Sequence, residues 1–307
     1  MPAAAPLSLV ESLPEPLEVA LEALRRQIAA QERVVVAYSG GVDSTLVAAI
    51  AVEQLGDRAE AITAVSPALA PHLLREARAQ AHWLGVRHRE IATAELEDPA
   101  YSSNPEDRCY ACKRELHRTL APIAESSGGA RVLDGVNQDD LGDHRPGLRA
   151  AREHGVLSPL ADQGIDKAAV RQLSRSLGLP WWDKPAQPCL ASRFPYGEPI
   201  SRTRLERVAA AEQWLRQEGF QELRVRSQGE TARLELGPEG LTRLLLRLAQ
   251  EEPPAGDAQP SLQDRGFRQG LVQQFLALGF TAVALDLEGL VSGKLNRNLS
   301  RNLGRSV

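Results

Sequence analysis

The sequence predicts an α/β chain, a doubly wound parallel sheet followed by a smaller α+β domain. Three observations carry that reading. Short apolar runs alternate with helical patterns from residue 34 to about residue 177. One such run breaks into Ser39-Gly40-Gly41-Val42-Asp43-Ser44 and resumes at Thr45 with a helical period. After about Pro199 the alternation stops, and two adjacent strand patterns lie among helices.

Taken in order, residues 16–30 form an amphipathic helix after a Pro-rich arm. Val34–Tyr38 is continuously apolar, as a strand buried on both faces requires. Thr45–Leu55 is a helix and Ala59–Val65 a strand. Pro71–Leu84 is a helix capped by Gly85, and Val86–Ala92 is a strand. A polar stretch, 95–108, leads into a helix over Tyr110–Glu125 and a strand over Arg131–Gly135. Ile165–Leu177 is helical, and the next 22 residues are irregular and rich in proline. Beyond them come a helix at Thr203–Gly219, strands at Leu223–Ser227 and Ala232–Leu236, and a helix at Pro238–Ala249. A linker, a helix at Gly270–Leu278 and a strand at Ala282–Leu287 complete the pattern. The expected domains are 1–198 and 199–307.

Composition narrows the classes. The net charge of −4 supplies no global basic field for nucleic acid. No apolar run is long enough to span a bilayer, and residues 1–18 lack the charged start and apolar core of a signal peptide. A cytoplasmic location without a membrane partner is expected. The three cysteines, Cys109, Cys112 and Cys189, argue against a disulfide framework. The tail after Glu288 carries Lys294, Arg297, Arg301 and Arg305 without an acid and reads as mobile.

A strand, a Gly-rich turn and a helix start make a phosphate site. Gly40 and Gly41 let backbone N–H groups approach an anion, and the helix N-terminus adds partial positive charge. Ser39, Ser44 and Thr45 supply hydroxyl donors. No lysine follows the glycines, so this is not the G-x-x-x-x-G-K-[ST] loop. Asp43 would repel a bare phosphate, which calls for a Mg²⁺ bridge.

With those residues the segment "SGGVDST" resembles the PP-loop of ATP pyrophosphatases, enzymes of the adenine nucleotide alpha hydrolase-like fold. They adenylate a substrate with ATP and release pyrophosphate into the loop. Four more segments are "NPEDRCYACKRELH" (104–117), "DGVNQDDLGDHRPG" (134–147), "PCLASRFPYGEPI" (188–200) and "ALDLEGLVSGKLN" (284–296). Together they resemble the LarE family, which makes pyridinium-3,5-bisthiocarboxylic acid mononucleotide for the nickel-pincer cofactor. The resemblance implies a mononucleotide substrate, ATP, Mg²⁺ and a homo-oligomer. It also implies a downstream nickel-inserting enzyme and a lactate-racemase-like recipient.

The resemblance places Cys189 where many of these enzymes keep a sacrificial sulfur donor, whose thiolate Lys184 or Arg193 could favour. This chain departs from that pattern by adding Cys109-Tyr110-Ala111-Cys112. Three thiolates fit a [4Fe–4S] cluster with one open iron, and we read Cys109, Cys112 and Cys189 as its ligands. Single-use Cys189 is the rival. A Cys109/Cys112 redox disulfide, or zinc with His117, also stays open.

Asp139, Asp140 and Asp143, with His144 and Arg145, form either a Mg²⁺ and phosphate loop or a solvated acidic turn. Ser192 and Arg193 suit an adenylate or substrate phosphate. Arg224 and Arg226 fall on one face of a strand by its period of two. The resemblance makes them a phosphate clamp, with Glu212 and Glu235 near a subunit boundary; surface charge pairing is the alternative. Trp83, Trp181 and Trp182 are expected in the core rather than stacked on a ring. A tRNA-thiolating enzyme, sharing loop and cysteines, is the alternative function, and a nucleotide sensor without chemistry is a third.

Overall fold

A computed structural model describes residues 7–142, 146–249, 266–291, 293, 294 and 297. The chain forms two compact units, 1–189 and 190–307.

In the first unit, helix α1 (Glu15–Ala29) precedes strand β1 (Val34–Ala37) and helix α2 (Val42–Leu55). Then follow β2 (Ala59–Val65), α3 (Pro71–Leu84), β3 (Arg87–Ala92), α4 (Pro99–Ser102), α5 (Arg108–Ser126) and β4 (Arg131–Leu133). Helices α6 (Pro146–Glu153), α7 (Pro159–Asp162) and α8 (Lys167–Ser176) complete the unit. The sheet is parallel, in the order β3-β2-β1-β4.

The run of valines in β1 explains the layering. Successive side chains point to opposite faces. Val34 and Val36 pack with α1, α2 and α8, while Val35 joins Ile62 and Leu116 and Leu120 of α5. Helix α2 is apolar nearly all round because it is enclosed; Leu46 and Ile50 are fully buried. Each such side chain contributes about 1.5–3 kcal/mol by leaving water.

Chain direction reverses at β1. From β1 the chain winds outward through β2 to β3, then returns to place β4 on the other side of β1. Ligands of open α/β sheets collect in the crevice at such a point, beyond the carboxyl ends of the strands. The loops after β1 and β4 meet there. A Cβ on Gly135 would lie 2.6 Å from Ser44 N, so only glycine lets the β4 loop lie against the start of α2. Strand β4 ends at Leu133, two residues short of the expected strand, and Asp134 N donates instead to Leu157 O at 3.0 Å.

The second unit holds α9 (Arg202–Gln217), β5 (Leu223–Gln228), β6 (Thr231–Leu236), α10 (Pro238–Ala249), α11 (Phe267–Ala277) and β7 (Ala282–Leu285). Strands β5 and β6 pair antiparallel through Gly229, whose φ of 54° needs glycine, and β7 joins β6 in parallel. Phe220, Phe275 and Leu205 lie at its core. Residues 190–198 go with this unit because Arg193 is paired to Glu212 of α9. The expected mobile tail is tethered where described: Lys294 pairs with Asp286 at 2.6 Å and Arg297 with Glu288 at 2.6 Å. Arg301 and Arg305 lie outside the described residues.

Gly135→Ala should cost about 1–3 kcal/mol through forced overlap with Ser44. A thermal melt checks this; a midpoint equal to that of the native chain would contradict the close approach.

Candidate active site

The loop after β1 begins with Tyr38, whose N–H donates to Ile62 O at 2.8 Å and whose carbonyl accepts from Thr63 Oγ1 at 2.9 Å. Gly40 has φ of 65°, and a Cβ there would stand 3.0 Å from Ala77 Cα. Gly41 caps α2. Ser44 Oγ accepts from Ser39 N at 3.3 Å, lies 3.1 Å from Ser39 Oγ and donates to Gly41 O at 3.2 Å. Gly41 N donates to Ser39 Oγ at 3.3 Å. The two serines therefore brace the turn. The first amides of α2, lacking intrahelical acceptors, remain the anion donors.

Helix α3 closes on the loop with one face. Ala77 meets Gly40, Glu76 pairs with Lys184 at 2.7 Å, and Lys184 Nζ donates to Gly40 O at 2.8 Å. Lys184 thus serves the loop rather than the Cys189 thiolate. Asp43 is engaged through both oxygens: Lys167 Nζ donates to Oδ2 at 2.5 Å and Asn137 Nδ2 to Oδ1 at 3.0 Å. Two lysines distant in sequence bring to this loop the positive charge that its own residues lack.

The acidic loop is built for turning. Asn137 Oδ1 accepts from Asp139 N at 3.0 Å and Asp140 N at 3.3 Å. Asp140 Oδ2 accepts from Asn137 N at 3.1 Å, and Asp139 Oδ2 caps α8 through Lys167 N at 3.0 Å. These carboxylates hold Asn137 and Lys167 where they meet Asp43. Asp143, His144 and Arg145 lie outside the described residues.

None of the three cysteines is in a disulfide; Cys109 and Cys189 are exposed and Cys112 is half-buried. Burial, then the charge of Cys189, pushes the Cys112 thiol up to about 12, with Glu95 and Cys109 adding to the effect and Lys113 opposing it. Cys112 therefore lies within electrostatic reach of both other sulfurs. Yet among the described residues no three His, Cys, Asp or Glu side chains stand close enough together to hold a metal ion. The three thiols share a neighbourhood, but in this arrangement they do not form the expected cluster ligand set. His117 does not join them as a zinc ligand either. Both its nitrogens are buried without a partner, and burial, Lys113 and His154 push it down to about 4.

In the second unit, Arg193 grips Glu212 through two bonds of 2.7 and 3.1 Å. Arg226 Nε donates to Glu235 at 2.9 Å and Nη1 to Ser192 O at 2.5 Å. Both pairs are buried, so removing one partner would cost about 3–5 kcal/mol. Arg226 is thus a paired residue. Arg224 is the guanidinium left available for an anion: no side-chain carboxylate bonds to it among the described residues. Burial, then the neighbouring Arg193 and Arg226, hold its pKa below the usual range. The three tryptophans depart from expectation: Trp83 is 50% exposed with its ring edge-on to Trp181 at 5.5 Å, and Trp181 and Trp182 are only half-buried.

Sequence reasoning missed Glu76, Ala77, Gln80, Gly135, Asn137 and Lys167. Gln80 alone carried a signal, as a polar residue in the apolar stripe Leu73, Ala77, Ala81 and Leu84.

Two outcomes follow. Lys184→Met should raise KM for MgATP roughly tenfold, the scale of one charge-assisted hydrogen bond. Pyrophosphate release measures it, and an unchanged KM would remove Lys184 from the nucleotide site. Cys112 should react with iodoacetamide more slowly than Cys189 at pH 8, gaining rate as pH rises towards its raised pKa. Peptide mass spectrometry reads this, and equal rates would contradict the burial of Cys112.

The asparagine synthase family model matches residues 17–102, which include the loop. The chain is 52% identical over 285 residues to the uncharacterized protein slr1717 of Synechocystis sp., covering 93% of this chain and 100% of the relative. It is 32% identical over 218 residues to the tRNA-specific 2-thiouridylase MnmA of Azorhizobium caulinodans, covering 58% of this chain and 55% of the relative. Against the pyridinium-3,5-bisthiocarboxylic acid mononucleotide synthase of Lactiplantibacillus plantarum the identity is 35% over 271 residues, 88% of this chain and 91% of that enzyme. A match of that extent, on a fold with the loop at its switch point, shows that the chain belongs to the LarE family of ATP-dependent sulfur transferases, in the PP-loop ATP pyrophosphatase superfamily.

Proposed function

We propose that this chain activates the carboxylates of pyridinium-3,5-biscarboxylic acid mononucleotide with ATP and Mg²⁺. It then exchanges AMP for sulfur to give the thiocarboxylates of nickel-pincer cofactor biosynthesis. The likeness to the Lactiplantibacillus plantarum synthase over most of both chains carries this reading.

A substrate carboxylate oxygen attacks the α-phosphorus of ATP. The bond to the β-phosphate oxygen breaks, and pyrophosphate leaves with the electron pair. The amides at the start of α2 bind that leaving group, and Lys184 and Lys167 offset its charge. Asp43, now bonded to Lys167, is the loop carboxylate that would hold Mg²⁺, which would supply charge for the leaving pyrophosphate.

The Cys189 thiolate then attacks the acyl carbon and expels AMP, forming a thioester. Loss of the Cys189 α-proton to a base, with cleavage of the Cβ–Sγ bond, leaves thiocarboxylate and a dehydroalanine in the chain. The exposure of Cys189 favours this course. Arg224 is the anchor for the mononucleotide phosphate. The product passes to a nickel-inserting enzyme and at last to a lactate-racemase-like protein, and the working enzyme is a homo-oligomer.

A second reading, favoured by the electrostatic reach of Cys112 to both other sulfurs, gives the three cysteines a [4Fe–4S] cluster that would supply the sulfur and spare Cys189. Cys109 and Cys189 would have to turn towards Cys112 to hold it. The likeness to the 2-thiouridylase favours tRNA thiolation, but the net charge of −4 opposes it, and no salt-sensitive tRNA shift is expected.

The test is a reaction of oxygen-free protein with ATP, Mg²⁺ and the dicarboxylate mononucleotide, followed by mass spectrometry of product and chain. Thiocarboxylate product with a chain lighter by one H₂S is expected. Unchanged chain mass with bound iron and repeated turnover would instead favour the cluster. Absence of thiocarboxylate would overturn the proposal.

A further inference from the structure

Gln80 interrupts the apolar face that α3 turns to the core, and it is fully buried. Its Oε1 accepts from Tyr38 OH at 3.2 Å and from Thr45 Oγ1 at 3.0 Å. Those partners bracket the phosphate loop, Tyr38 just before Ser39 and Thr45 just after Ser44. One amide therefore ties the loop's entry to its exit. The same helix supplies Ala77 against Gly40 and Glu76 to Lys184.

The hydrogen-bond inventory of this pocket does not close. Gln80 Nε2 is buried without a partner, which leaves two N–H donors unmet. An unmet buried donor costs about 1–3 kcal/mol. Thr45 has one hydroxyl proton, and in this orientation it goes to Gln80. Rotating the terminal amide by half a turn exchanges its oxygen and nitrogen without moving other atoms. The two N–H groups then meet Tyr38 Oη and Thr45 Oγ1, and the Thr45 proton is released. The unmet group on Gln80 becomes a carbonyl oxygen, which proteins tolerate better than an unmet N–H. The Tyr38 O–H, having lost Gln80 Oε1, turns to Thr45 Oγ1, its other hydrogen-bonding neighbour. Burial pushes the Tyr38 phenol up to about 12, so its oxygen stays neutral and does not compete as an anion.

We propose that Gln80 is a positioning residue for nucleotide binding: its amide nitrogen donates to Tyr38 Oη and Thr45 Oγ1 and thereby frees the Thr45 proton for a phosphate oxygen. This rests on residues 39–45 being the nucleotide-phosphate loop. Thr45 can give its proton to Gln80 or to the anion, and the amide orientation decides which.

The test uses the full chain and reads KM for MgATP and kcat from pyrophosphate release. Thr45→Val should raise KM about tenfold; no change would remove Thr45 from the phosphate site and with it the basis of the inference. Gln80→Met should raise KM to a similar extent, and the double variant should be no weaker than Thr45→Val alone, because Gln80 acts through Thr45. Gln80→Glu is the discriminating variant. Its carboxylate only accepts, so KM should be high at pH 8 and fall towards the native value as the carboxyl gains a proton. A native KM for Gln80→Glu at every pH would overturn the proposal. So would a Thr45→Val defect that Gln80→Met does not share, or strict additivity in the double variant. If Gln80→Glu does not fold by circular dichroism, the Gln80→Met comparison decides.

Discussion

The structure depends on holding one turn, residues 39 to 45, open to an anion at the point where the sheet reverses. Backbone amides bind phosphate well only when they already point the right way, because ordering them on binding would consume the energy gained. Here that ordering is built in from every side. Strand β1 fixes the entry, α2 the exit, α3 one wall through Ala77, and the β4 loop the other through Gly135. The glycines are sites of contact as much as of flexibility: a methyl group at 40 or 135 would meet backbone.

The electrostatics follow from the same constraint. The chain is acidic overall, yet Lys167 and Lys184 meet at the loop, each restrained by a partner, Asp43 or Glu76. Such pairs keep two cations close to the loop without leaving bare charge in a half-enclosed crevice. The second unit repeats the device with arginines. Arg193 and Arg226 are paired with buried glutamates, whereas among the described residues no side-chain carboxylate bonds to Arg224. The thiols differ in setting: Cys189 is exposed, while burial keeps Cys112 protonated.

Much of this was legible in the sequence. Strand β2, helix α3 and helix α10 have the bounds that their periodicity predicts, because apolar spacing and a capping Gly85 are local signals. The phosphate loop was legible for the same reason: glycine, hydroxyl and strand-to-helix order lie within seven residues. Helix α6 was not, since it starts at Pro146-Gly147 inside a segment whose residues read as a turn. The lysines were hidden because only the topology brings Lys167 and Lys184 to positions 124 and 144 residues earlier. Trp83 was misassigned because size alone predicts burial, whereas its place on the outer side of α3 leaves it half exposed. The C-x-x-C spacing suggested a metal, but spacing along a helix does not fix where a third sulfur, from a segment 77 residues further on, will point.

The most direct measurement of the loop's role is the fate of label from ATP carrying ³²P at the α or the γ position, incubated with Mg²⁺ and the dicarboxylate mononucleotide. Attack at the α-phosphorus sends the α label to AMP and the γ label to pyrophosphate. Appearance of labelled ADP from the α position, with inorganic phosphate from the γ position, would contradict adenylation and with it the role assigned to residues 39–45.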